Sequence, residues 1–203
     1  MRKFDLISPS LVKEIMFYFA RFPERSGVMK MWNTGRSNLP EYELWRTQME
    51  AVPDTEMSLV PEIKNFVFGV NEDALTKKIA GFFEPFLFVD YGNLEVELDQ
   101  VNRYNESFLI ALTVAFPQRA DNVDLLESAI YSDLALNYIA TIRKILIQEE
   151  KERYWLKDFS ADHAVTPWVS TKMPSIGWTI MFTRKGFDML QGKEKQPPIK
   201  SGW

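Results

Sequence analysis

The stretch Leu94–Gln100, LEVELDQ, carries Glu95, Glu97 and Asp99 at every second position, alternating with Leu94, Val96 and Leu98. On an extended segment that period of two sets the three acids on one face. Clustered carboxylates can hold a divalent cation or serve as general acid and base. The spacing fits neither well. Same-face neighbours on one strand lie about 7 Å apart, whereas magnesium takes oxygens at about 2.0–2.1 Å in a tight octahedron. Metal-dependent nucleases often pair an acid with a lysine two residues on, and the corresponding pair here is Glu95-Val96-Glu97, without the lysine. Repulsion between carboxylates ~7 Å apart in water is only about 0.6 kcal/mol, which a wet strand face tolerates. Three readings stand: a metal or catalytic cluster, a plain solvated face, or an acidic surface with a function of its own.

Other chemistry is sparse. There is no cysteine, so disulfides and thiolate chemistry are excluded and zinc would depend on carboxylates and a single histidine. That histidine, His163, lies in SADHAVTP beside Ser160 and Asp162, which match no hydrolase motif. The alternative is a loop or half-buried structural histidine. No GxGxxG, P-loop, GxSxG or HExxH sequence occurs, and no cofactor is expected. No run of eighteen apolar residues suggests a membrane span, and MRKFDLISPS has no apolar core of a signal peptide.

The net charge of −4 argues against bulk nucleic-acid binding. Its distribution is uneven. Residues 84–106 carry six acids against Arg103, a net −5, and residues 184–203 carry five bases against two acids, a net +3. An acidic patch and a basic tail on one chain suit self-association or docking to a partner; two unrelated solvated surfaces would look the same.

The elements that must position these residues are partly legible. Length and composition, 203 residues at 46% hydrophobic, suit one domain with a sizeable core. Ser8 and Pro9 predict the start of a helix over 9–21, with Leu11, Val12, Ile15, Met16 and Phe19 on one stripe. Residues 23–70 mix turn residues with Met29, Met31 and Trp32 and are expected to form an insertion or arm, within which Pro40 opens a short helix through Met49 before Pro53 and Pro61 interrupt. Met29, Met31 and Trp32 would either anchor a neighbouring subunit or fold back onto the domain. Asn71 predicts a short helix over 71–82. Period two then gives a strand at 86–90, a turn at Tyr91-Gly92-Asn93, and a second strand at LEVELDQ. The next strand, 107–116, is apolar on both faces. Phe108, Ile110, Leu112, Val114 and Phe116 lie on one, and Leu109, Ala111, Thr113 and Ala115 on the other. It is expected to be central, with a helix on one side and a neighbouring subunit as a candidate cover for Leu109, Ala111 and Thr113.

Asp121 predicts the cap of a long helix over 122–150, with Leu126, Ile130, Leu134, Tyr138, Ile142 and Ile145/Leu146 as its core stripe at spacings of three and four. GWTIMFTRKGF predicts a late strand, and the intervening segment with Pro167 and Pro174 a loop. Residues 1–190 are thus expected to be a single α+β domain: a small antiparallel or mixed sheet packed on a long helix. Residues 191–203 form a polar basic tail in which Lys193, Lys195 and Trp203 are candidate interface residues.

This order of helix, strand, strand, apolar strand ending in AFPQ, long helix and late strand GWTIMFT resembles the tail-completion or tail-terminator proteins of tailed bacteriophages and the related neck proteins of the head–tail connector. The resemblance covers about residues 1–22 and 83–185, and it rests on layout rather than on a diagnostic motif. It implies a non-enzymatic virion structural protein, assembled in the bacterial host cytoplasm as a homo-oligomeric ring. Its partners would be other neck or tail proteins, and it would lie close to DNA without binding it tightly. On that reading Glu95, Glu97 and Asp99 would line the DNA channel. The alternative from a different class is a small soluble α+β enzyme or ligand-binding domain that uses the acidic face, with or without a metal.

Overall fold

A computed structural model describes residues 11–34, 37–70, 76, 79, 81–98, 104–118, 124–157, 159–170 and 174–186. Helix α1 spans Leu11–Phe19 and buries Leu11, Ile15, Met16, Tyr18 and Phe19; Ser8 and Pro9 lie outside the described residues. Phe19 and Phe22 stack at 6.1 Å, and Phe19 meets Trp155 at 5.5 Å. All three rings are fully buried. Each contributes about 1.5–3 kcal/mol of apolar burial, so this cluster ties α1 to the turn that follows the long helix.

The expectation of an arm over 23–70 is overturned. This segment supplies helix α2 (Arg25–Thr34), helix α3 (Pro40–Glu50) and strand β1 (Asn65–Phe68). Val28, Trp32, Met49, Ile63 and Phe66 enter the same core as α1. Pro40 occupies the first turn of α3, with Glu41 and Glu43 beside it at the positive end of the helix. Helix α2 lies hard against the start of β1, because Gly27 packs on the Lys64 carbonyl where a Cβ has no room.

The sheet has five strands in the order β1-β2-β3-β5-β4. They are β1, β2 (Phe86–Leu98), β3 (Tyr104–Pro117), β4 (Ala164–Ser170) and β5 (Ser175–Gly186). β1 runs parallel to β2, and the remaining neighbours are antiparallel. β3 is central, as its two apolar faces require. The loop expected around Pro167 is strand β4. Pro167 cannot donate to a ladder, and β4 is an edge strand, where proline is tolerated.

Phe108, Ile110, Leu112, Val114 and Phe116 share one face with Ile176, Trp178, Ile180 and Phe182 of β5. Helix α4 (Leu125–Glu149) lies on this face: Trp178 Nε1 donates to Ser132 Oγ at 3.0 Å, and Phe116 stacks on Tyr131 at 4.8 Å. The helix begins three residues later than expected. Asp124, not Asp121, is its cap, accepting from the Leu126 and Glu127 amides at 2.8 and 3.1 Å. Its core side is Ala135, Ile139, Ile142 and Leu146. Among the described residues the opposite face of the sheet is covered at one end, where Ile79 and Phe82 pack with Val67, Phe86, Phe88, Ala115 and Trp168. The helix expected over 71–82 is described only at Thr76 and Ile79, both helical.

Candidate functional site: the acidic hairpin and the outer face of the long helix

The acids at 95 and 97 owe their orientation to a bulge. In place of the expected turn at 91–93, β2 continues without interruption, but its register against β3 shifts between Asp90 and Asn93. Asp90 pairs with Ala111 and Asn93 with Leu109, so Tyr91 and Gly92 together face one residue, Ile110. The Asp90 carboxylate accepts from the Gly92 amide at 2.8 Å within the bulge. Burial pushes the Asp90 carboxyl above the ordinary range, and this hydrogen bond pulls it partly back. The extra residue inverts the parity of everything beyond it. Phe86, Phe88 and Asp90 point away from α4 on even numbers, and Asn93, Glu95 and Glu97 do so on odd numbers.

Glu95 and Glu97 therefore stand exposed on the face of the sheet opposite α4, in line with Ser107 of β3. Glu95 accepts from Asn93 Nδ2 at 2.7 Å. Asp99 lies outside the described residues. No group of three or more histidine or acidic side chains among the described residues is arranged to hold a metal ion. Val96 and Leu98 point the other way, yet they remain 49% and 60% exposed, because the hairpin extends past the ends of the covering helices.

β1 pairs with β2 only from Phe86 to Val89, and the Gly69 amide donates to the Val89 carbonyl at 3.1 Å. Beyond that point, from Tyr91 to Leu98, the outer edge of β2 is open among the described residues.

A second unpartnered surface lies on α4. Leu125, Leu126, Ile130 and Leu134 are 84%, 70%, 51% and 36% exposed. Three of these were expected in the core stripe, and the structure turns them outward. Contiguous exposed apolar side chains of this kind mark interaction sites.

The remaining candidate interface residues divide. Trp32 is buried against Tyr42, with ring centroids 5.2 Å apart and the Tyr42 hydroxyl donating to the Trp32 carbonyl at 3.0 Å. It is a core residue and not a free anchor. Met29 and Met31 are half-buried against the same cluster. Thr113 is buried, its hydroxyl 2.8 Å from that of Thr179, which removes it as a contact for another subunit. Ala111 is half-buried and Leu109 partly exposed, on the same side as Glu95. Lys193, Lys195 and Trp203 lie outside the described residues.

His163 is the half-buried structural residue of the two alternatives. Its ring stacks on Phe159 at 4.5 Å, Nδ1 lies 2.8 Å from the Phe159 carbonyl, and Nε2 accepts from Arg143 Nε at 2.6 Å. With Nε2 an acceptor, the ring is neutral and Nδ1–H donates to the carbonyl. Both nitrogens are committed, and neither reaches Ser160 or Asp162.

A cleft of about 470 Å³ between α1, α3 and the turn after α4 is lined by Lys13, Phe17, Tyr18, Arg21, Gln48 and Arg153. Its cations are answered locally. Arg21 donates to both oxygens of Glu149 at 3.0 and 3.2 Å, and Glu14 and Glu56 also line the wall. Burial and then the Glu149 carboxylate push the Tyr18 phenol well above its ordinary value. Its hydroxyl faces that carboxylate without a hydrogen bond of standard geometry. Burial alone would raise the Glu149 carboxyl, but its contacts with Arg21 and Tyr18 outweigh this and hold it low. This arrangement clamps the end of α1 to α4.

Comparison with protein-family models, with curated proteins and with solved structures finds no match to this chain. Among the described residues no helix is long and apolar enough to cross a membrane.

Proposed function

We propose that this protein is a non-enzymatic assembly subunit, and specifically one subunit of a homo-oligomeric ring at the neck or tail of a bacteriophage virion. The observation that carries the assembly reading is the exposure of Leu125, Leu126, Ile130 and Leu134 in the first half of a helix whose second half buries Ala135, Ile139, Ile142 and Leu146. The open β2 edge and the acidic side of the hairpin add surfaces that an isolated domain has no use for. The virion setting is supported by the layout of a mixed sheet on one long helix, and a ring around DNA would give Glu95 and Glu97 the task of repelling the passing duplex. The test is the mass of the purified protein by light scattering between about 1 and 100 µM, the range of ordinary association constants, together with electron microscopy of the particles. Ring-sized oligomers with a central channel are expected. A compact monomer across that range, absent from virions, refutes the reading.

A further inference from the structure

We propose that the outer edge of β2, from Tyr91 to Leu98, takes up the basic segment 191–203 of a neighbouring copy as an added strand. The inference rests on the self-association reading above and names the contact. An open sheet edge offers unpaired backbone N–H and C=O groups on alternate residues, and an extended segment satisfies them by strand addition. Here the edge is eight residues long, and nothing among the described residues pairs with it. Its side chains state what the added strand must carry. One face of it would run beside Glu95 and Glu97, and the other beside Val96 and Leu98.

A second β2 edge is excluded as the occupant by charge, because it would set Glu95 and Glu97 against their own copies, and like charges directly opposite destabilise a strand pair. The segment 191–203, QGKEKQPPIKSGW, has the opposite sign. Lys193 and Lys195 fall two apart, on one face of an extended chain, and Pro197-Pro198 would end the pairing. Glu95, Glu97, Val96 and Leu98 are exposed within the single chain, so the edge is open to a segment from another copy.

The experiment uses the full chain in two self-repelling forms. Glu95→Lys/Glu97→Lys makes edge and tail both basic, and Lys193→Glu/Lys195→Glu makes both acidic. All four sites lie outside the packed core or the described residues, and unchanged melting temperatures check that both variants fold. Each variant alone is expected to associate about tenfold or more weakly than wild type, the size of an unfavourable charge juxtaposition at an interface. Mixed one to one, each variant presents an edge that suits the other's tail, and association is restored. Amide hydrogen exchange of residues 91–98 slows in the wild-type oligomer and in the mixture, and not in either variant alone. A synthetic 191–203 peptide added to the full chain slows the same amides.

If the wild type assembles and the variants assemble equally well, or the mixture gives no recovery, strand addition in trans is wrong while the assembly reading stands. If exchange at 91–98 slows in the wild type but the mixture is not rescued, the tail docks on its own chain and the proposal is overturned. If the wild type stays monomeric, both readings fall.

Discussion

Replacing Arg21 with methionine isolates the energy of the clamp between α1 and α4. The guanidinium makes two near-parallel hydrogen bonds to Glu149, and the two side chains are only 20% and 21% exposed. Exposed ion pairs contribute about 0–1 kcal/mol, and removing one partner of a fully buried pair costs about 3–5 kcal/mol. At this burial Arg21→Met is expected to cost about 2 kcal/mol, because it leaves a largely buried carboxylate facing the Tyr18 hydroxyl. Glu149→Leu alone should cost a similar amount. The double variant Arg21→Met/Glu149→Leu removes both charges and keeps apolar volume, so it should cost under about 1 kcal/mol, giving a coupling of about 3 kcal/mol or slightly more. Urea unfolding at pH 7 measures all four proteins, with the slope checked for constancy. The pH dependence has a fixed sign. The Glu149 carboxyl is held below its ordinary value of 4.5, so its stabilisation is complete above that pH and is lost as pH falls through the lower folded-state value. The gap between wild type and Arg21→Met should therefore narrow below about pH 4. Additive single changes, or singles each costing less than about 0.5 kcal/mol, would refute the clamp.

Four further outcomes are expected. Gly27→Ala drives a methyl into the Lys64 carbonyl, and overpacking at a backbone contact should cost about 1–3 kcal/mol by the same urea titration. Asp124→Ala removes the α4 cap and should cost about 1 kcal/mol, a drop of about 2–4 °C in melting temperature. Asp90→Asn keeps an acceptor for the Gly92 amide and removes a carboxylate whose charged form burial disfavours. Because the folded state raises that carboxyl, its charge opposes folding at neutral pH, and the variant should melt no lower than wild type at pH 7. Ile130→Lys on the outer side of α4 should change unfolding by less than about 0.5 kcal/mol while abolishing oligomers in light scattering. A loss of stability with intact oligomers would remove α4 from the interface.

Strict periodicity was easy to read and irregular spacing was not. The two-sided strand at 107–116 announces a central position, and β5 repeats its alternation, so the heart of the sheet was legible. Strand β4 was not, because Pro167 reads as a breaker unless the strand is known to be an edge. Helix α3 was legible from Pro40 as a helix opener, whereas α2 was hidden by short length and mixed polarity. Their stability comes from Val28, Trp32 and Met49 docking into a core formed by distant residues, which local propensity does not report. At the hairpin the period-two pattern of Glu95 and Glu97 survived, and Gly92 was mistaken for a turn when it marks a bulge. The open edge beside them was invisible in sequence, since it depends on where β1 stops.

Leu126, Ile130, Leu134, Tyr138, Ile142 and Ile145/Leu146 on α4 recur at spacings of three and four, with four predominating, and that looks like one stripe. An α-helix advances about 100° per residue, so each step of four overshoots a full turn by about 40°, and the run from 126 to 146 rotates by about 200°. A strict period of four is thus a spiral and cannot all face one sheet. The structure divides it where the arithmetic requires: Ile142 and Leu146 are buried, Tyr138 is intermediate, and Leu126 and Ile130 point away. The core side is completed by Ala135 and Ile139, which the spiral passes over. The sequence therefore maintains two apolar faces on one helix, and only the first is explained by folding of the single chain. Leaving Leu125 and Leu126 almost bare in water is a standing liability for aggregation, and it is removed if a partner covers them. The same logic applies to the unpaired side of β2. The proposed assembly would close both surfaces at once.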